Sequence, residues 1–207
     1  LLVLVENTDD ILFFPKLLIK DWERKVYHQY FPPKPEVINL NANDICNSKC
    51  TMCNIWQQKQ DIEITPLELE NILKNELFSN VKHIGITGGE PTMREDLPLL
   101  YEAACKAIPN LKALSIITNA IRKNDVIKRV TEVKQVCDHY GKGFTMMVSL
   151  DGYGKIHEKI RGREGNFQSA IDVIEHFSKN TNIPIAIGCT ISKDNVWEVD
   201  ELLDFLR

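Results

Sequence analysis

At 207 residues the chain is long enough for one sizeable core, with one to two domains as the expectation. Its 43% hydrophobic and 26% charged residues are the proportions of an ordinary soluble globular protein. A formal charge of −4 gives no general pull toward nucleic acid or an anionic membrane, which argues against both as partners. No apolar run approaches the roughly 20 residues that span a bilayer: 1–5 is too short, and 11–19 is broken by Pro15 and Lys16.

Residues 1–31 carry a short apolar, strand-like run and then a helical pattern over 17–30. Pro32-Pro33-Lys34-Pro35 cannot continue a helix, so the domain boundary is placed there: 1–35 an N-terminal extension with a proline-rich linker, 36–207 the main domain. Residues 36–41 read as a strand that runs directly into Cys46, Cys50 and Cys53. Thr65, Pro66 and Glu68 form a capping box, and the helix they start carries Leu69, Ile72, Leu73 and Leu77.

The alternation repeats. A strand at 83–87 ends in Gly88-Gly89-Glu90-Pro91, and its helix presents Leu97, Leu100, Ala104, Ala107 and Ile108. A strand at 113–117 ends in Thr118-Asn119, followed by a helix with Val126, Val130, Val133 and Cys137 on one face. A strand at 144–150 ends in Asp151-Gly152, and a helix at 166–179 turns Ala170, Ile174 and Phe177 inward. After a strand at 184–191, Asp194 caps a last helix bearing Trp197, Leu202 and Leu206.

Five β-α units with nearly continuous apolar strands predict an α/β fold, a parallel sheet or barrel covered by helices and buried on both faces. Function in such folds gathers at the carboxyl ends of the strands. The cysteines, Gly88-Gly89-Glu90, Thr118-Asn119, Ser149 with Asp151, and Ser192-Lys193 all fall on that edge.

Six cysteines are present, three of them in the pattern C-x3-C-x2-C. Thiolates so close together are natural ligands for iron–sulfur clusters and zinc, and they call for a reducing compartment, the cytoplasm by default. Closed sites use four ligands. Either a fourth comes from afar, His28 and His83 being the nearest candidates, or one metal position is left open, as in a catalytic centre. A second C-x2-C knuckle and a fourth clustered cysteine are both absent, which disfavours a zinc ribbon and a ferredoxin-like module. Cys105, Cys137 and Cys189 stand in apolar stretches and read as small buried hydrophobes. The Gly88 to Pro91 stretch serves either a tight turn or the close approach of a ligand; without a Walker lysine or G-x-G-x-x-G it is not a phosphate loop.

The three cysteines after the first strand, followed about 35 residues on by Gly88-Gly89-Glu90-Pro91, closely resemble the radical S-adenosylmethionine (radical SAM) superfamily across 36–207. The branch most similar contains peptide-maturing enzymes and the enzyme of the first step to the molybdenum cofactor. The resemblance implies a partial TIM-type (β/α) barrel of six units. Five are present, and the sixth is expected beyond Arg207, the chain starting without Met and ending inside a helical pattern.

It also implies a 4Fe-4S cluster on Cys46, Cys50 and Cys53, with the amine and carboxylate of SAM on the fourth iron. Reductive cleavage of SAM then gives a 5′-deoxyadenosyl radical that abstracts hydrogen from substrate. By position, Gly88, Gly89, Glu90 and Pro91 bind the methionyl amine, Ser149 lies near ribose and carboxylate, and Lys193 matches a carboxylate-binding lysine. Arg161 belongs to a segment common in the branch with an auxiliary-cluster domain, and the backbone at Ile55 meets adenine with Trp56 covering it.

The chain departs from the family pattern at Met52, where an aromatic residue is common, and at Ala120, where glycine usually follows Thr-Asn. An electron donor of the flavodoxin or ferredoxin type is implied, and peptide, nucleotide and sugar substrates stay open. The rival reading is a non-enzymatic iron–sulfur, zinc or electron-transfer module. Asp151, Tyr153, His157, Met146 and Met147 are candidates for lining a cavity. The methionines read better as core and His157 as an exposed loop residue, and none is assigned as a catalytic group.

Overall fold

The computed structural model describes residues 19–30, 32–59 and 63–207. Cα packing divides the chain between Lys34 and Pro35. In the first unit, residues 19–30 are helical, with a π-helical turn at Glu23–Tyr27 running into His28–Tyr30. The apolar run at 1–5 lies outside the described residues.

The second unit is built on one parallel sheet of β1 (Val37–Asn41), β2 (His83–Thr87), β3 (Ala113–Thr118), β4 (Gly143–Ser149) and β5 (Ile185–Gly188), in the order β1-β2-β3-β4-β5. The helices are α1 (Pro66–Leu73), α2 (Leu97–Ala107), α3 (Lys123–His139), α4 (Lys155–Arg161), α5 (Asn166–Asn180) and α6 (Val199–Leu206). Each crossover lands on the next strand along. That unreversed order is the wall of a barrel, whereas a doubly wound sheet reverses its order.

The register explains which face is which. Ile38, Ile84, Leu114 and Phe144 lie side by side, as do Leu40, Ile86, Ile116, Met146 and Ile185. These rows face the helices and form the core with Leu97, Leu100, Val126, Val130, Val173 and Phe177. The rows between them carry Asn39, Gly85, Ser115 and Thr145. Burial alternates along β1, and Val37 is 58% exposed on the concave side. The expectation that the strands are buried on both faces is therefore corrected: they are apolar toward the helices and mixed toward the inside of the curve.

Local chemistry sets the helix ends. Thr65 Oγ1 accepts from the Glu68 N–H at 3.3 Å while Glu68 Oε2 accepts from the Thr65 N–H at 2.8 Å, so the capping box starts α1. The helix stops at Leu73. Asn75 Oδ1 then accepts from the Leu77 N–H and starts a separate 3-10 turn, which leaves Leu77 exposed instead of on the helix face.

Two further elements differ from expectation. Helix α4 has too few apolar residues to read as a helix, yet Gly154 and Gly162, both at positive φ, bracket it, and its His157 is fully buried. The exposed-loop reading of His157 is thus overturned. Residues 193–198 form turns, so α6 begins at Val199 and Trp197 stays exposed. Cys105 and Cys137 are buried as expected, whereas Cys189 is exposed just past β5. Among the described residues, no helix is long and apolar enough to cross a membrane.

Candidate active site

The cysteine loop leaves the carboxyl end of β1 and is gripped on two sides. On the β2 side, strand pairing continues past both strand ends: Ala42 N–H donates to Thr87 O, Gly89 N–H to Asn43 O and Glu90 N–H to Ile45 O, each at 2.8 Å. Such proximity requires glycine. A β-carbon on Gly88 would lie 2.5 Å from Asn43 O, and one on Gly89 would overlap the Ile45 carbonyl. The glycines thus admit the backbone of the cysteine loop itself. Arg94, buried and missed in the sequence, reinforces this corner by donating to Ala42 O at 2.6 Å and Ile64 O at 3.0 Å while paired to Asp96.

On the other side the loop meets the end of α4. Lys49 N–H donates to Arg161 O at 2.9 Å, Thr51 N–H to Ile160 O at 2.8 Å, and Ser48 Oγ to Arg161 O at 2.8 Å. Arg163 Nε donates to Asn47 O. Gly162 is required here too, since its β-carbon would lie 2.7 Å from Lys49 O.

Held in this way, the three thiols differ in environment: Cys50 is buried, Cys46 half-buried and Cys53 exposed. Cys46 Sγ accepts from Ser48 N–H at 3.4 Å and Asn119 Nδ2 at 3.7 Å. Cys50 Sγ lies 3.1 Å from Ser48 Oγ and accepts from Arg161 Nη1 at 3.7 Å. Burial pushes the Cys46 thiol up from its ordinary value, as do Glu90 and the neighbouring thiols, against the Ser48 N–H. Among the described residues, no three His, Cys, Asp or Glu side chains converge on a single metal ion. A cluster asks for something else: one thiolate per iron, spread around a larger object.

Glu90 is almost fully buried. Its Oε1 accepts from Thr92 Oγ1 at 2.6 Å and Thr118 Oγ1 at 2.8 Å, and its Oε2 from Asn119 N–H at 2.8 Å. Burial pushes this carboxyl up from its ordinary value despite those donors. The side chain therefore ties β2 to the end of β3.

Asp151, fully buried after β4, forms the second tie. Its Oδ2 approaches Arg161 Nε at 2.6 Å, outside the aligned hydrogen-bond direction, and its Oδ1 accepts from Thr190 N–H at 2.8 Å. His157 Nδ1 accepts from Asp151 N–H at 3.0 Å, which fixes the imidazole proton on Nε2, facing Asn166 Oδ1 at 3.1 Å.

A cavity of about 210 Å³ opens between these parts. It is lined by Cys46, Cys50, Cys53, Ile55, Trp56, Gly88, Gly89, Glu90, Ser149 and Arg161, and also by Asn119 and Thr190. Of the other expected site residues, Pro91 is buried at the start of a 3-10 turn and is not in the lining. Lys193 is exposed on the turn after β5, outside the lining, although its neighbour Asp194 reaches Thr51 Oγ1 at 3.5 Å. Asn119 stands in the sequence as the strand-end residue of Thr118-Asn119, but its amide toward Cys46 has no sequence signature.

A parallel barrel wall whose strand ends carry three cysteines facing a glycine edge defines a class, and the family comparison agrees. The chain belongs to the radical SAM superfamily, whose model matches residues 40–206. Among its relatives, Fe-coproporphyrin III synthase of Methanosarcina barkeri is 30% identical over 189 residues, covering 86% of this chain and 43% of that protein. GTP 3′,8-cyclase of Listeria monocytogenes is 29% identical over 182 residues, covering 83% of this chain and 50% of that protein. The crystal structure of Streptococcus suis SuiB bound to precursor peptide SuiA has the same fold, with a TM-score of 0.65 at 19% identity over 99% of this chain and 43% of that one. The chain spans half or less of the length of these relatives.

The superfamily's cofactors are a 4Fe-4S cluster and SAM. The donor set here suits such a cluster: three thiols bordering one cavity, two of them already receiving N–H donors of the kind that stabilise cluster sulfur.

Proposed function

We propose that residues 36–207 are the cluster- and SAM-binding core of a radical SAM enzyme, with 1–35 as an extension. The observation that carries this reading is that Cys46, Cys50 and Cys53 share one cavity with the Gly88 to Glu90 edge. Bound together, the cluster and SAM supply reductive C–S cleavage to a 5′-deoxyadenosyl radical that abstracts a substrate hydrogen.

The chain's own residues bind and orient. Cys46, Cys50 and Cys53 hold the cluster, and the main chain of Gly88, Gly89 and Glu90 receives the methionyl amine. Ser149 faces the ribose, and the backbone at Ile55 with the Trp56 ring borders the adenine. Arg161, occupied by Asp151 and Cys50, acts on the cluster side and supports Cys50. The open concave face would admit a small-molecule or peptide substrate, and a flavodoxin- or ferredoxin-type protein in a reducing compartment such as the cytoplasm would supply the electron.

Anaerobic reconstitution of the chain with iron and sulfide, followed by dithionite and SAM, tests this. The expected result is a brown protein that forms 5′-deoxyadenosine, with both properties lost in Cys46→Ala. A colourless, zinc-loaded protein that takes up no iron under strict anaerobiosis would instead establish the rival metal-binding module.

A further inference from the structure

Helices α4 and α5 pack behind the site, and a buried polar chain runs from between them to the Asn119 and Arg161 side chains that line the cavity. It begins at His157, whose ring is fully buried with both nitrogens engaged. On the Nδ1 side it receives the Asp151 N–H and so fixes the residue whose carboxylate meets Arg161 at 2.6 Å. Arg161 in turn donates to Cys50 Sγ. On the Nε2 side it donates to Asn166 Oδ1, and Asn166 Nδ2 donates to Asn119 O at 2.9 Å. Asn119 in turn donates to Cys46 Sγ through Nδ2, which also holds Asn47 Oδ1 at 2.8 Å.

One neutral imidazole therefore stands at the head of two chains of polar contacts that end on two different cysteine sulfurs, one made of hydrogen bonds through Asn166 and Asn119, the other passing through the Asp151–Arg161 ion pair. We propose that His157, with Asn166, is a positioning residue that aims the Asn119 amide and the Arg161 guanidinium at the cluster thiolates and thereby sets the cluster's reduction potential. The proposal rests on the cluster reading above. Its physical basis is that donors to cluster sulfur stabilise the more negative, reduced state, so removing or misaiming them makes reduction harder. Buried networks transmit such changes because an unsatisfied member is costly and its neighbours move to satisfy it.

The test is an EPR-monitored redox titration of the anaerobically reconstituted chain, with iron counted per chain. His157→Leu cannot accept from Asp151 or donate to Asn166, and Asn166→Leu cuts only the Asn119 arm. His157→Gln offers an acceptor and a donor at nearly the spacing of the two ring nitrogens.

Full iron content with a more negative potential in His157→Leu, a smaller shift in Asn166→Leu and a return toward wild type in His157→Gln is the expected pattern. Should His157→Leu fail to fold, the Asn166→Leu and His157→Gln pair decides on the same terms. Unchanged potentials and EPR line shapes in iron-replete variants would overturn the positioning role and leave the cluster reading intact. A wild-type chain that takes up no iron–sulfur cluster would overturn both.

Discussion

Gly89 packs so closely on Ile45 that no β-carbon fits between them, and the next N–H, that of Glu90, donates to the same Ile45 carbonyl at 2.8 Å. Gly89→Ala must therefore push the backbone of the cysteine loop away from β2. Because the obstacle is main chain, rotamer changes cannot relieve it, and a loss of about 3 kcal/mol is expected. Urea unfolding reads the stability, and iron bound per chain after reconstitution should fall with it.

Asp151→Asn tests the buried ion pair. Arg161 keeps its charge while its side chain is only 11% exposed, and the new amide presents a donor to a donor. An uncompensated buried cation costs about 3–5 kcal/mol. Chemical denaturation should show most of that loss. Arg161→Met with Asp151→Leu, which removes both charges, should recover part of it.

Folding leaves a pH signature at His157. Burial, helped by the Arg161 guanidinium and opposed by Asp151, Asn166 and Glu158, pushes its pKa down from 6.5 to about 4. As pH falls, the unfolded imidazole takes its proton first and the folded one resists until about pH 4, so stability present above pH 6.5 is lost between these values. The loss is about 3 kcal/mol at full protonation. Denaturation at a series of pH values should show this slope in the wild type and a flatter one in His157→Gln.

Ala120 has a φ of +56°, the left-handed region that disfavours a side chain. Its conformation is fixed by Ser169 Oγ, which donates to Ala120 O at 2.6 Å, and by its own N–H on Thr118 Oγ1 at 3.1 Å. Ala120→Gly relieves the backbone and loses one buried methyl, so stability should be unchanged or rise by up to about 1 kcal/mol. A loss of the size seen for glycine in a helix interior would contradict this account of the strain. Thermal melts of the pair give the sign.

Much of this architecture could be read from the chain because its signals are local. The capping box at Thr65 and the four-three-four spacing from Val126 to Cys137 identify helices wherever they occur. The cysteine spacing together with Gly88-Gly89 identifies the site's edge. What could not be read depends on partners far along the chain. His157 looks like a loop residue until Asp151 and Asn166 close around it, and Arg94 looks like surface charge until Ala42 and Ile64 offer carbonyls. The sidedness of β1 and β3 was obscured because Val37 and Ile117 are apolar yet exposed on the concave face. The sequence left Gly88 and Gly89 open between a tight turn and the close approach of a ligand, with no sign that their missing β-carbons make room for the loop that carries the cysteines.

The carbonyls of Ile160 and Arg161 end a helix, where no further turn supplies N–H groups, and Lys49 and Thr51 fill that role. The backbone conformation of the cysteine loop is consequently set from outside the motif. A synthetic peptide spanning 43–56 keeps all three thiols but loses the helix end that braces its backbone. Transplanting the motif into another scaffold would need a β2-like glycine edge and a second segment like Ile160 to Arg163 brought along from more than a hundred positions away.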